Sequence, residues 1–364
     1  MTEPTADAAT TALVTGFPGF IGRRLVRSLL EREDARVIAL VEPRMAGAAR
    51  NLAGTLGDRV EVLEGDIADR RLALASADWD RVRATVTHVF HLAAIYDLAV
   101  PEEAAQRVNV DGTGNVLDLC AAAPGLQRLT YVSTAYVAGL RTGVVYEHEL
   151  AMGQAFKNHY ESTKFQAEVW VRAAADRVPA TILRPAIVVG DSRTGETEKF
   201  DGPYYLLRAI SRAARLGRAV PQFGASDATF NVVPVDYVVS AIVAAAFAPD
   251  TLGETLHLVD PEPLPTRELL GTLASAYGAK APSGRIPPGL VAASLRVKAL
   301  QDFMGGTPRE SVAYLNHRVT FDTRRAVDLL GPLGLAPPRF AGYVDAVVGF
   351  FKAHEGDEAR MPRR

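Results

Sequence analysis

The stretch ALVTGFPGFIGRRL, residues 12–25, limits the possible folds of this chain more than any other. A short apolar run leads into three glycines, Gly16, Gly19 and Gly22, and these lead into an amphipathic run. G-x-x-G-x-x-G between a strand and a helix has the chemistry of dinucleotide binding. Small residues let the backbone turn tightly and approach a pyrophosphate, which then rests on the positive end of the helix. A glycine-rich turn with no ligand would look similar. This loop, however, opens the first β-α unit of the chain, where such a cofactor binds. Phe17, Phe20, Ile21 and Arg23 share the loop and are cofactor-contact candidates with the glycines.

The pattern continues along the first half. TALVT, RVIALV, RVEVLEG, THVFHLAA, RLTYVST and ATILRP read as strands. Between them, FIGRRLVRSLLERE, PEEAAQRVNVDGTGNVLDLCAAA and AFKNHYESTKFQAEVWVRAAAD read as helices. Such alternation predicts an α/β fold, a Rossmann-like doubly wound parallel sheet. The second half is less regular and carries Pro-rich pieces such as DPEPLPTREL. The expected division is a dinucleotide-binding core over residues 1–185 and a smaller, mainly substrate-binding lobe over 186–364, with strands returning to the core sheet around 230–260.

Composition narrows the function classes. A net charge of −2 argues against a nucleic-acid binder, which is usually basic. The N-terminus has no positive n-region or apolar h-region, and the apolar run from Val238 is too short to cross a bilayer. The single cysteine, Cys120, sits in a helical pattern and reads as a buried thiol. The seven histidines show no metal-ligand spacing. The expectation is a cytoplasmic protein without a metal or membrane contact; oligomeric state leaves no mark in the sequence.

Further along, Asp66 and Ile67 follow the third strand, and Asp66 either accepts from an adenine amino group or caps the next helix. Ala93 and Ala94 follow the fourth strand and are small enough for a dinucleotide to pass. In NHYESTKF, Tyr160 and Lys164 are four residues apart, which puts them on one helix face. Alone, that pair is no more than a lysine covering a ring.

Together, TGFPGFIG, GDIAD, HLAA, NVDGTGNVL, VSTAYV, YESTK, LRPAIVVG and NVVPVDYV resemble the extended short-chain dehydrogenase/reductase superfamily, in family order from residue 11 to about 240. VSTAYV and the later VTFDTRRAVDLL resemble its fatty acyl-CoA reductase and thioester reductase branch. The resemblance implies an NAD(P)-dependent oxidoreductase in which Tyr160 exchanges the proton. Lys164 lowers the phenol's pKa and holds the nicotinamide ribose. Thr134, with Ser133 beside it, would contact the substrate oxygen. Asn109 matches a family asparagine that shapes the adjoining helix. Arg184 and Pro185 match a segment on the nicotinamide side, although Arg184 also reads as an ion-pair partner.

The expected cofactor is NADP(H), with NAD(H) the alternative. Glu42, at the end of the second strand, would bond a ribose 2′-hydroxyl and reject a phosphate. It stands one place beyond the usual acidic position, however, and Arg23 and Arg44 are placed to hold a 2′-phosphate. The expected substrate is a small-molecule carbonyl, an acyl thioester or aldehyde first. A ketone or hydroxysteroid is the alternative within the same chemistry, and nucleotide-sugar epimerisation or dehydration a second one. Arg208, Arg212, Arg215 and Arg218 fall on one helix face. That stripe either receives a phosphate-bearing carrier such as coenzyme A or is a solvated face.

Overall fold

A computed structural model describes residues 9–96, 100–223, 228–286 and 309–361. In chain order the strands are β1 (Thr11–Thr15), β2 (Arg36–Val41), β3 (Val60–Glu64), β4 (His88–His91), β5 (Arg128–Val132), β6 (Gly143–Val145) and β7 (Ala180–Pro185). They continue with β8 (Ile187–Val189), β9 (Gln222–Phe223), β10 (Val232–Pro234), β11 (Thr255–Leu258), β12 (Arg285–Ile286) and β13 (Val319–Phe321). The helices are α1 (Phe20–Leu30), α2 (Ala46–Gly54), α3 (Ser76–Thr85), α4 (Glu102–Ala105), α5 (Gly112–Ala122) and α6 (His159–Ala173). After these come α7 (Tyr204–Arg215), α8 (Val235–Phe247), α9 (Thr266–Tyr277), α10 (Arg324–Leu330) and α11 (Val344–His354).

Seven strands form one sheet in the order β11-β7-β5-β4-β1-β2-β3. Every pairing in it is parallel. A parallel sheet is covered on both faces, so its strands are apolar at successive positions. β1 behaves this way: Ala12 and Val14 pack into one core cluster and Leu13 into the other. The Rossmann-like α/β reading of the sequence therefore holds. β11, from well into the second half, adds the edge strand beyond β7.

The strand order reverses at β1. Its neighbours are β2 on one side and β4 on the other. Ligands of open α/β sheets bind in the crevice at the carboxyl ends of the strands at such a reversal. The glycine loop leaves β1 there, and residues 92–96 leave β4 beside it.

One predicted helix differs. Residues 101–123 are not a continuous α-helix: α4 passes into a π-helical turn over Gln106–Asp111 before α5 begins. π turns often mark functional positions, and this one carries Asn109. Farther on, β13 pairs with β6 and draws the chain around residues 314–321 against the loop that follows β5.

Candidate active site

Gly16 has φ of +90°, the left-handed region glycine favours. A Cβ there would lie 3.1 Å from both the Ala93 amide nitrogen and the Leu92 Cβ. A Cβ on Gly22 would stand 2.4 Å from the Gly16 carbonyl oxygen, closer than real side chains come. The loop is thus pinned between the start of α1 and the segment after β4. Gly19 caps α1 without a side-chain hydrogen bond, and the first turn holds no acidic residue. An 11-residue helix with its leading N–H groups unclaimed by a side chain fits a diphosphate. Gly19 itself is exposed, Phe20 and Ile21 are half-buried, and Phe17 is in the core. Phe17 can therefore meet a ligand only through its backbone.

Thr15 ties the two loops together. Its Oγ1 accepts from the Leu92 and Ala93 amides, both at 3.1 Å, and pairs with His91 Nδ1 at 2.8 Å. His91 Nε2 meets Thr113 Oγ1 at 3.0 Å, and Thr113 donates to the Asn109 carbonyl at 2.7 Å. The consistent assignment puts the imidazole proton on Nε2, with Nδ1 accepting from Thr15. Burial, aided by the nearby Lys164 charge, pushes the His91 pKa down to about 3, so the ring is neutral. Asn109 accepts from the Ile95 amide at 2.8 Å and donates to Thr163 Oγ1 at 3.0 Å. It holds the segment after β4 against the first turns of α6.

α6 begins at an Asn158 cap whose Oδ1 accepts from the Glu161 amide at 2.9 Å. Tyr160 and Lys164 follow on one face. The half-buried Tyr160 ring meets the exposed Tyr96 ring edge-on, with centroids 5.1 Å apart. Lys164 is buried; its Nζ donates to the Val132 carbonyl at 2.8 Å and lies 4.3 Å from the centre of the Tyr131 ring. Here the structure differs from the simplest expectation. The two side chains share a face, but Lys164 turns inward to β5. Burial holds the Tyr160 phenol above its ordinary range, and it is the Thr134 side chain that works against this shift. Burial also pulls Lys164 down to about 7, with the Glu168 charge opposing.

Ser133 and Thr134 follow β5 directly and use their hydroxyls differently. Ser133 Oγ donates to Glu168 Oε2 at 2.6 Å. Thr134 Oγ1 accepts from the Tyr136 amide at 3.2 Å, which leaves its own proton to donate. Arg184 is buried. It forms an ion pair with Glu168 at 2.6 Å and reaches the Glu149 carbonyl at 2.8 Å. Pro185 ends β7 and is buried.

The remaining cofactor candidates follow β2, β3 and β4 or lie in the first turn of α1. Asp66 Oδ1 accepts from the Ala68 amide at 2.9 Å, closing a local turn. Ile67 is buried, and its carbonyl accepts from Asn115 at 2.8 Å. Ala93 and Ala94 are half-buried at the crevice. Glu42 and Arg44 are exposed and paired with each other at 2.7 Å. Arg23 pairs with Glu196 at 3.0 Å and with Glu198 at 2.5 Å, and Arg24 reaches Glu196 at 3.3 Å. Sequence reasoning missed Tyr96, Glu168 and the two loop glutamates. For Glu168 a signal existed: it lies one further step of four beyond Tyr160 and Lys164. The other three stand in loops whose path no periodicity reveals.

Of the four arginines on α7 and just beyond it, Arg215 is paired with Glu355 at 2.7 Å, Arg208 is engaged, Arg212 is half-buried and Arg218 is exposed. Among the described residues no helix is long and apolar enough to cross a membrane, and no cluster could hold a metal ion.

The family described as "Male sterility protein", an NAD-binding family, matches residues 14–242. A linear gramicidin synthase protein of Brevibacillus parabrevis is 29% identical over 281 residues, covering 72% of this chain and 5% of that protein. The L-2-aminoadipate reductase large subunit of Penicillium chrysogenum is 27% identical over 310 residues, covering 77% of this chain and 21% of that protein. This chain thus corresponds to a fraction of each. The crystal structure of the terminal R domain from the myxalamid PKS-NRPS biosynthetic pathway superposes with a TM-score of 0.81 and 28% identity, over 99% of this chain and 94% of that one.

Proposed function

The chain belongs to the NAD-binding "Male sterility protein" family, the thioester reductase-like branch of the extended short-chain dehydrogenase/reductases, and from that premise we propose that it reduces an acyl thioester, or the aldehyde derived from it, with Thr134, Tyr160 and Lys164 as the working set. The observation that carries the reading is a pair of hydroxyls. Thr134 has a proton free to donate and stands beside the Tyr160 phenol, next to the crevice where the sheet reverses. Ser133 has its proton committed to Glu168, which favours Thr134 as the substrate contact. Residues 1–185 would bind the dinucleotide, and 186–364 mainly the substrate.

The glycine loop and the start of α1 would hold the diphosphate, with Ala93 and Ala94 beside it. When bound, the reduced nicotinamide supplies the hydride that adds to the carbonyl carbon. Thr134 and Tyr160 then donate hydrogen bonds to the oxyanion as it forms, which lowers the barrier where charge develops. With an aldehyde, Tyr160 passes its proton to the alkoxide and an alcohol leaves. With a thioester, collapse of the tetrahedral oxyanion breaks the carbon–sulfur bond, and the thiolate departs and takes up a proton. Lys164, one turn along α6, would reach the ribose hydroxyls with donors beyond the one that binds the Val132 carbonyl.

NADP(H) is the proposed cofactor. The pairing of Glu42 with Arg44 occupies the acidic group that would select a free ribose. Arg23 lies beside the loop, held among the described residues by the Glu196 and Glu198 carboxylates, which a 2′-phosphate would displace. Reductase names among the relatives, and a neighbour from a PKS-NRPS pathway, support a thioester over a simple ketone. The test is Tyr160→Phe. Turnover of the preferred carbonyl should fall by roughly a hundredfold or more, with dinucleotide affinity within a few-fold of wild type. Near-normal kcat in this variant would contradict the reading.

A further inference from the structure

The Glu168 carboxylate is completely buried, and nothing in the chemistry above uses it. It lies four residues beyond Lys164 and eight beyond Tyr160, on the same face of α6. Oε2 accepts from Ser133 Oγ at 2.6 Å, and Oε1 receives Arg184 Nη2 at 2.6 Å and Arg172 Nε at 3.2 Å. Arg184 is held in turn by the Glu149 carbonyl and by His257 Nε2 at 3.2 Å. A buried ion pair is weak support for stability, since well-packed apolar groups of the same volume often do as well. The serine bond is what sets this one apart. It joins the helix that carries Tyr160 and Lys164 to the residue immediately before Thr134.

We propose that Glu168, acting through Ser133, is a positioning residue that fixes the Thr134 hydroxyl against Tyr160 and so sets the geometry in which both meet the substrate oxygen. The inference rests on the reading of Thr134 and Tyr160 given above. Ser133 is then the clamp between α6 and the end of β5. The charge of the same carboxylate favours the Lys164 ammonium against its burial. The groups facing Lys164 are His91 on β4, Tyr131 on β5 and Glu168 on α6. Those facing Glu168 are Arg172 on α6, Arg184 on β7, His257 on β11, and Tyr131 and Ser133 at β5. Burial alone would raise the Glu168 pKa; Arg184, Arg172 and Ser133 outweigh it and keep the group ionised.

Ser133→Ala removes the clamp and leaves Arg184 and Arg172 on Glu168, so no buried cation loses its partner. With the thioester or aldehyde turned over best, and Tyr160→Phe as control, kcat should drop between roughly tenfold and a hundredfold, as a small displacement of a catalytic group would cause. KM and dinucleotide affinity should stay within about twofold. Glu168→Gln should show the same loss of kcat. In addition, the alkaline limb of its kcat/KM profile should move to lower pH, because the charge that favours the Lys164 ammonium is gone; Ser133→Ala should leave that limb in place. A folded Ser133→Ala with wild-type kcat, beside an inactive Tyr160→Phe, would overturn the positioning role alone. An active Tyr160→Phe would overturn the reading beneath it. If both Ser133→Ala and Glu168→Gln lose the thermal transition of the wild type, the pair serves folding and the proposal fails.

Discussion

Burial moves both groups toward their neutral forms, the half-buried Tyr160 and the fully buried Lys164 alike. Burial lifts the phenol and pulls the Lys164 ammonium down to about 7. If the ammonium is the working form, the sign of the pH dependence follows. Below neutrality Lys164 is charged; as pH rises through about 7 the charge is lost, and kcat/KM for the dinucleotide, which reports the free enzyme, should fall. An unburied lysine near 10.4 would leave that profile flat to about pH 9, and a flat profile would contradict the role given to Lys164. The four-residue spacing made the shared face legible in the sequence. It could not tell that Lys164 turns inward to the Val132 carbonyl, or that Ser133 is taken by Glu168. Both depend on which β5 atoms α6 packs against, and no local pattern carries that.

Among the elements, the junction of β1 and α1 was the most legible, because its glycines are required by contact as well as by turn. Gly22→Ala must push the Gly16 carbonyl away from a Cβ that would otherwise sit at 2.4 Å. Dinucleotide affinity measured by titration should weaken by roughly tenfold or more, about 1.4 kcal/mol, while the sheet remains folded; unchanged affinity would remove the loop from the binding site. The segment opposite was not legible. Glu196 and Glu198 follow a turn in which Asp191 Oδ1 accepts from the Arg193 and Thr194 amides, both at 3.0 Å, and their carboxylates reach Arg23 at the start of α1. If NADP(H) is the cofactor, as proposed above, they would compete with its 2′-phosphate for one guanidinium. Glu196→Gln with Glu198→Gln should therefore tighten NADPH several-fold and leave NADH nearly unchanged. Equal changes for both cofactors would show that Arg23 does not read the phosphate. The π turn before α5 was hidden for a different reason: its sequence reads as ordinary helix, and the widening is seen only in the backbone.

On the scale of the whole molecule, the apolar runs of the first half and their alternation with helices were enough to foresee a parallel sheet. What the second half adds was harder to read because its elements are short and pair with distant partners: β8 with β10, β9 with β12, β13 with β6. The fourfold arginine pattern of α7 was visible, but its use was not. Arg215 is committed to Glu355 just after α11, and together with the Ser211–Glu355 bond at 2.6 Å it fastens α7 to the end of the chain's last α-helix among the described residues. The fold is shared by enzymes of several chemistries, so the function rests on the site and not on the sheet. We propose that this site takes hydride to a thioester carbonyl and releases a thiol. The most direct test is to incubate the purified protein with NADPH and a panel of acyl-coenzyme A thioesters, following loss of the reduced cofactor, free thiol and aldehyde together. One thiol should be released for each NADPH consumed in forming aldehyde, with Tyr160→Phe blocking all three signals. Brisk NADPH oxidation with ketones and none with any thioester, or thiol release without NADPH consumption, would contradict it.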